Sequence, residues 1–314
     1  MESKKSLKTA IAPQKNLWKR IKRSWQVYVL ILLPLIWFLM FEYYPLVWLR
    51  MSFYDFSLYR GWEGSEFVGF ENFAKLFAKR NFLQMIWNAL ALNLWNLALG
   101  FPAPIIFALF LNEMRLSKVK SVVQTVSFIP HFISLVALIA IVNDVVNPTN
   151  GIITKILEFF GQESIYFMGS PDYFRPVMTL SGIWQGMGWG AIVYLAALTS
   201  IDPNLYEAAM VDGANRWHRI RHITLPGIAP TIITMLIMRI GGLLGAGAQK
   251  ILLLQSSLNL ETSEVLSTYL YKQGIQKMDY SMGTTVGIFN SLVSLTLVFI
   301  ANKISKKVSE TSLW

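Results

Sequence analysis

The sequence has no cysteine among its 314 residues, and charged residues make up only 15% of it. The missing cysteine excludes disulfide bonds and cysteine-ligated zinc or iron–sulfur sites. Soluble domains carry about 25% charged residues, and a soluble chain with 54% apolar residues would lack the polar surface to cover its core. The long uncharged runs therefore indicate an integral membrane protein.

Six apolar runs have about the length needed to cross a bilayer, which takes about 20 residues. They lie at residues 25–41, 85–111, 122–142, 177–198, 225–248 and 284–301. Only helices and closed barrels satisfy their backbone in lipid, and these runs lack the period-two alternation of barrel strands. The sequence thus predicts an all-α membrane protein with six transmembrane helices.

The basic residues indicate how these helices are oriented. Most of the 28 Lys and Arg residues lie in the two tails and in the short loops after the second and fourth runs. By the positive-inside rule, both termini are expected in the cytoplasm. The net charge of +10 is then a topology signal, and a nucleic-acid partner is not expected.

Charge and hydropathy divide the chain into four segments. These are a basic cytoplasmic tail (1–24), a first transmembrane helix with an external loop (25–83), a five-helix core (84–303) with a cytoplasmic loop (200–224), and a cytoplasmic tail (304–314). In the first tail Leu17, Ile21 and Trp25 recur every four residues among Lys and Arg. This spacing favours an interfacial amphipathic helix, with a disordered basic tail as the alternative.

Several catalytic and ion-binding patterns are missing. The sequence has no Gly-x-x-x-x-Gly-Lys, Gly-x-Ser-x-Gly or His-Glu-x-x-His, so we expect no P-loop ATP site, no catalytic residues and no bound cofactor or metal. His218 and His222 stand four apart but have no evident third ligand, and His131 is best explained as a helix contact. None of the 18 acidic residues falls within a predicted span, which weighs against proton or sodium coupling.

Arg239 is the one charge within a predicted span, about 21 Å along its helix from residue 225. An intramembrane arginine is costly and therefore suggests function. It could meet an anionic or hydroxyl-rich substrate, reach outward to the membrane surface, or pair with an acid on a partner subunit. Further pathway candidates, each also explicable by packing, are Asn93, Asn96, Trp184, Gln185 and Trp189.

Glycines recur at helical spacing in the fourth run. Gly182, Gly186 and Gly190 are four apart, with Gly188 between them. Glycines spaced in this way let two helices approach closely. Packing alone explains the pattern, and a sliding gate would use the same surface.

The loop at 200–224 carries the most specific pattern. Asp202-Pro203-Asn204 is a helix-start signal, and Gly213 permits a sharp turn before a second, basic helix. Pro226 suits the first turn of the next span. Ala208 and Ala209 leave a small face for a partner protein, and Glu207 offers it a carboxylate.

These residues resemble a known motif. Glu207-Ala208-Ala209, Gly213 six residues after the glutamate, and Ile223-x-Leu225-Pro226 resemble the EAA motif of ABC-importer permeases, and Asp212-Gly213-Ala214 is similar to its sugar-importer branch. Further similarities are Leu33-Pro34, Tyr44-Pro45, Asn112-Glu113, Phe128-Ile129-Pro130 and Asn150-Gly151-Ile152. The resemblance covers about residues 25–303 and is greatest to permeases for lipoprotein-associated polysaccharide and alginate.

The resemblance implies a type I, MetI-like importer fold in a bacterial plasma membrane. It implies a second homologous permease, a pair of ATPase subunits, an extracellular solute-binding lipoprotein and an oligosaccharide substrate. The residues implied in ATPase coupling are Glu207, Ala208, Ala209, Asp212, Gly213 and Pro226. The chain itself would be no enzyme. An ABC permease for another solute class and an ion-coupled secondary transporter remain the alternatives.

Overall fold

The structure, a computed structural model, describes residue 22 and residues 24–241 and 247–309. The chain divides into two compact units, residues 1–50 and 51–314. Most of the interfacial helix predicted before residue 25 lies outside the described residues.

The first unit is dominated by one helix. Helix α1 (Trp25–Phe38) leads into a π-helical turn (Leu39–Tyr43) and a 3₁₀ segment (Tyr44–Phe53). Its side chains are exposed all round, as expected for an apolar helix that faces lipid. Tighter 3₁₀ winding begins next to Pro45, which has no backbone N–H to donate.

Within its described residues, the second unit is helical apart from a small hairpin, in which the two-residue strands β1 (Tyr54–Asp55) and β2 (Glu66–Phe67) pair antiparallel. The helices that follow are α2 (Glu71–Phe77), α3 (Phe82–Trp95), α4 (Pro102–Glu113), α5 (Ser117–Phe128), α6 (Leu135–Val145), α7 (Ile152–Phe159), α8 (Pro171–Leu198), α9 (Pro203–Val211), α10 (Arg216–Arg219), α11 (Leu225–Gly241), α12 (Ala248–Leu254), α13 (Leu260–Ser263), α14 (Leu266–Leu270) and α15 (Tyr280–Ser309). The intervening π-helical turns are Asn96–Gly100, Ile220–Thr224 and Tyr271–Gln276, and the 3₁₀ turns are Ile129–Phe132 and Phe167–Gly169.

Fewer spans are supported than the six predicted. Four described segments are long and apolar enough to cross a membrane, namely Trp25–Phe53, Phe82–Glu113, Arg216–Ile240 and Tyr280–Ile300. A bent pair of helices is a fifth candidate. Helix α8 has 28 residues, but its central Gly, Trp and Gln residues lower its hydropathy and it is not among these segments. The chain is thus a multi-pass helical membrane protein with four or five supported spans.

The predicted span at 122–142 is sharply bent. Ser117–Phe132 and Leu135–Val145 meet at an angle of 106°. Pro130 has no N–H for a helical hydrogen bond, and the chain tightens there into a 3₁₀ turn. The side chain of Ser134 then caps α6 by accepting from the N–H of Ala137 at 3.3 Å, which starts a new helix in a new direction.

Pro226 is the second residue of α11, in the first turn of that helix as predicted. The chain is helical without a break from Arg216 through the π-helical turn into α11, which the sequence did not predict. A π-helical turn shifts the hydrogen-bond register, which accommodates a residue that cannot donate. Helix α15 likewise continues to Ser309, past the predicted end at 301.

Helix α8 lies at the centre of the second unit. Near its start, Phe174 is fully buried in a cluster with residues of α3, α6 and α12. Near its end, Ala191 and Tyr194 pack in a second cluster with Ala108 of α4 and Ile228 of α11. Its polar middle is therefore enclosed between two apolar clusters.

Candidate functional site

Residues 200–224, termed the EAA loop below, form a helix–turn–helix. Asp202 caps α9 because its carboxylate accepts from the N–H of Asn204 at 2.9 Å. The helix ends where the N–H of Ala214 bonds to the carbonyl of Ala209 at 2.8 Å. Gly213 makes this possible with a φ of +78°, which glycine adopts without strain. The local structure predicted for this loop is confirmed up to the turn.

The face formed by this loop is open. Glu207, Ala208, Asp212 and Gly213 are exposed and Ala209 is partly so. Pro226 is exposed too. Within the described part of the chain, Glu207 takes part in no salt bridge. Large apolar side chains are exposed beside these residues, namely Leu205, Met210, Val211 and Trp217. Exposed apolar groups around an unpaired carboxylate are typical of a protein-docking surface.

The EAA loop is fastened to the base of α11. The hydroxyls of Tyr206 and Thr224 lie 3.1 Å apart, and the buried Thr224 hydroxyl is also 3.3 Å from the carbonyl of Arg219. Ile201 packs so closely on Gly227 that a Cβ there would lie 2.8 Å from its Cδ1 atom. A force on α9 would therefore reach α11 through direct contacts.

The two histidines of this loop contact the loop itself. His218 Nδ1 lies 3.1 Å from the side-chain oxygen of Asn215, and His222 Nδ1 lies 3.0 Å from the carbonyl of His218. Among residues 24–241 and 247–309, no cluster of three metal-binding side chains includes them.

Half of the predicted pathway residues line one polar cavity between α3, α8 and α12. The cavity has a volume of about 190 Å³, and Asn93, Asn96 and Gln185 line it. The amide of Asn93 donates to the carbonyl of Ala89 at 2.7 Å. Other polar side chains that line it are Thr179, Lys250 and Ser267. None of the lining residues in the described part of the chain is Asp or Glu.

Arg239 is bound to this cavity through Asn96. Its guanidinium donates to the Asn96 side-chain oxygen at 2.6 Å. Gly100 leaves the space for this pair, since a Cβ there would overlap the same oxygen and lie 3.4 Å from the Arg239 guanidinium. The contact ties α11 to the π-helical turn between α3 and α4.

The two predicted tryptophans lie elsewhere. Trp184 lines an apolar cavity with Ile141, Val145 and Leu180. Trp189 stacks on His131, with ring centroids 4.5 Å apart and planes parallel to within 1°. The structure does not bring either tryptophan into the polar cavity, and it accounts for His131 as an aromatic contact.

Lys250 was not among the residues predicted from the sequence, where it lies just after the predicted span at 225–248. In the structure it is only 8% exposed, and its ammonium donates to the carbonyl of Met178 at 3.2 Å. The sequence pattern that could have indicated its burial is the apolar run that follows it directly, Ile251-Leu252-Leu253-Leu254.

Gly213→Ala is expected to weaken the EAA loop selectively. A Cβ at this φ costs about 1 kcal/mol, and we expect about a fivefold lower ratio of transported solute to hydrolysed ATP. The matched control is Gly161→Ala, since Gly161 also has a positive φ of +73° and open space around it. Coupling measured in proteoliposomes should fall in the first variant only. An equal loss in both would refute a special role for Gly213.

The comparisons with known proteins agree with this geometry. Residues 100–310 match the family model "Binding-protein-dependent transport system inner membrane component". The chain is 39% identical over 301 residues to the polygalacturonan/rhamnogalacturonan transport system permease protein YteP of Bacillus subtilis, covering 96% of this chain and 94% of that protein. It is 40% identical to the B. subtilis protein LplB, covering 94% and 92%.

A solved structure is also similar. It is a chain of a bacterial alginate ABC transporter in complex with an alginate pentasaccharide-bound periplasmic protein, with a TM-score of 0.87 and 40% identity over 95% of this chain and 100% of that one. The resemblance inferred from the EAA motif is confirmed. The chain belongs to the inner-membrane components of binding-protein-dependent transport systems, and it is the permease subunit of an ABC importer.

Proposed function

We propose that this chain forms the transmembrane pathway of an importer for uronate-containing oligosaccharides in a bacterial plasma membrane. One observation carries the proposal. Identity of about 40% extends over nearly the whole chain to a relative whose name includes polygalacturonan/rhamnogalacturonan and to a chain of a transporter involved in the import of the acidic polysaccharide alginate.

The polar cavity supports an acidic substrate. Its described lining residues include Lys250 and no carboxylate, and it is bordered by the Asn96–Arg239 pair. Amide and hydroxyl groups on its other walls can exchange hydrogen bonds with sugar hydroxyls.

The proposed assembly contains this chain, a second permease, two ATPase subunits and an extracellular solute-binding protein. In our proposal, the EAA loop lies in the cytoplasm and docks on an ATPase through Glu207 and its apolar neighbours. ATP-driven movement of the ATPases would then shift α9, and the Tyr206–Thr224 contact would pass the shift to α11.

The proposal is tested by purifying the chain from native membranes in mild detergent and identifying what co-purifies. We expect an ATPase, a second permease and a binding protein. The complex is then placed in proteoliposomes, and ATP-dependent uptake is measured for uronate oligosaccharides made from pectin and alginate, with neutral maltotriose as the control.

Uptake of a uronate oligosaccharide that requires both ATP and the binding protein would support the proposal. Uptake of maltotriose alone would overturn the substrate class but keep the importer. A chain that purifies alone and responds to a proton or sodium gradient would overturn the proposed mechanism.

A further inference from the structure

Lys250 is a buried cation whose local environment does not neutralise it. Within the described residues, the ammonium donates one hydrogen bond, and its acceptor is the uncharged carbonyl of Met178. Lysine is almost never fully buried unless it is paired, because removing an ammonium ion from water is costly without a compensating charge. Among the described residues that line the cavity, none provides a negative charge.

The ammonium lies beside α8. Gly182 of that helix borders it, since a Cβ there would make an ordinary van der Waals contact with Lys250 Nζ at 3.4 Å. Gly182 and Lys250 line the same cavity. The cavity volume of about 190 Å³ is enough for a small group such as a carboxylate together with part of a sugar ring.

A second unsatisfied group lies on the cavity wall. The hydroxyl of Ser267 is buried and has no hydrogen-bond partner in the described part of the chain, and Ser267 lines the same cavity as Lys250. Buried polar atoms are nearly always satisfied, so an orphaned one indicates a missing ligand or solvent molecule. A lone cation and an orphaned hydroxyl on one cavity are complementary to an anion with hydroxyl neighbours.

We propose that Lys250 binds a substrate carboxylate, and that it is the residue that selects uronate sugars within the permease. This rests on the proposed function. The carboxylate has two possible sources, a uronate sugar or an acidic side chain of the second permease, and the substrate is favoured because glycines and polar groups leave an open cavity around Lys250.

The test compares Lys250→Met, Lys250→Arg and the control Lys155→Met in proteoliposomes, with the uronate oligosaccharide that the wild type imports fastest. Met fills nearly the same volume as Lys, and replacing a buried charge by an apolar group is often neutral or stabilising, so this variant is expected to fold. Lys155 is exposed on α7. Co-purification of the second permease reports assembly separately.

We expect Lys250→Met to lower kcat/KM for the uronate oligosaccharide about tenfold, the usual effect of losing one hydrogen bond between charged groups. Assembly should be intact, Lys250→Arg should lose less activity than Lys250→Met because it keeps the positive charge, and Lys155→Met should stay within twofold of the wild type. Normal uptake by Lys250→Met would overturn the inference, as would equal losses in the Met and Arg variants.

Two further outcomes distinguish a failure of this inference from a failure of the proposed function. Loss of the second permease from Lys250→Met would assign the carboxylate to that partner and overturn the inference while leaving the proposed function intact. Failure of the wild type to import any uronate oligosaccharide would overturn the proposed function and this inference together.

Discussion

Glu207→Lys is expected to reduce ATP-dependent uptake to background while the subunit still inserts into the membrane. The carboxylate is exposed on α9 and has no salt bridge within the described chain, so the substitution breaks no ion pair among the described residues. In our proposal it meets a basic residue of the ATPase. Close charge pairs at protein interfaces are worth about 1.5–7 kcal/mol, and like charges brought together cost several kcal/mol.

The measurement is co-purification of the ATPase together with uptake in proteoliposomes. We expect at least a hundredfold weaker ATPase binding from a loss of about 3 kcal/mol. Glu163→Lys is the control, because Glu163 is equally exposed and undergoes the same charge change in the segment between α7 and α8. Full uptake by Glu207→Lys, or equal loss in both variants, would contradict the assignment of Glu207 to coupling.

The EAA loop was predictable because its structure depends on neighbouring residues. The cap by Asp202 and the turn at Gly213 each need only a few adjacent positions. The Tyr206–Thr224 contact joins residues 18 apart and needs the packed helices, so no local pattern predicts it. The roles of these residues in coupling stay predictions.

The polar cavity was only partly predictable for a geometric reason. Successive residues on a helix point about 100° apart, so Gln185 lines the polar cavity while the adjacent Trp184 lines an apolar one. The sequence does not show how α8 packs, so both Trp184 and Gln185 were plausible pathway residues. Lys250 was missed because its environment is set by α8, which is distant in sequence.

The bend between α5 and α6 was only partly predictable, because the sequence contains a proline there but does not determine the bend angle. Pro130 permits a kink, and the sequence alone cannot distinguish a gentle bend from the observed 106°. The angle depends on Ser134, which caps a new helix, and on the packing of α6 against α12 in the apolar cluster.

Gly188→Ala is expected to destabilise the subunit strongly, whereas Gly186→Ala on the same helix is not. A Cβ on Gly188 would overlap the backbone carbonyl of Ser127 on α5. A backbone atom cannot turn aside as a side chain can, so α5 and α8 would have to separate. Overpacking of this kind costs about 1–3 kcal/mol.

Gly186 provides the matched control, because nothing lies within 4 Å of a Cβ built there. Alanine at that position should stabilise α8 slightly, by up to about 1 kcal/mol of helix propensity. Thermal unfolding of the two purified variants in detergent separates them, and we expect the Gly188→Ala midpoint to be several degrees lower, at about 2–4 °C per kcal/mol.

Equal midpoints would mean that α5 and α8 are not in contact at Ser127. A lower midpoint for Gly188→Ala alone would locate the close approach directly before the bend at Pro130. That contact holds the first arm of the bent pair against α8, which also contacts the π-helical turn that bears Asn96. Because Asn96 binds Arg239, separation of α5 from α8 would also be expected to lower the affinity of the cavity for its substrate.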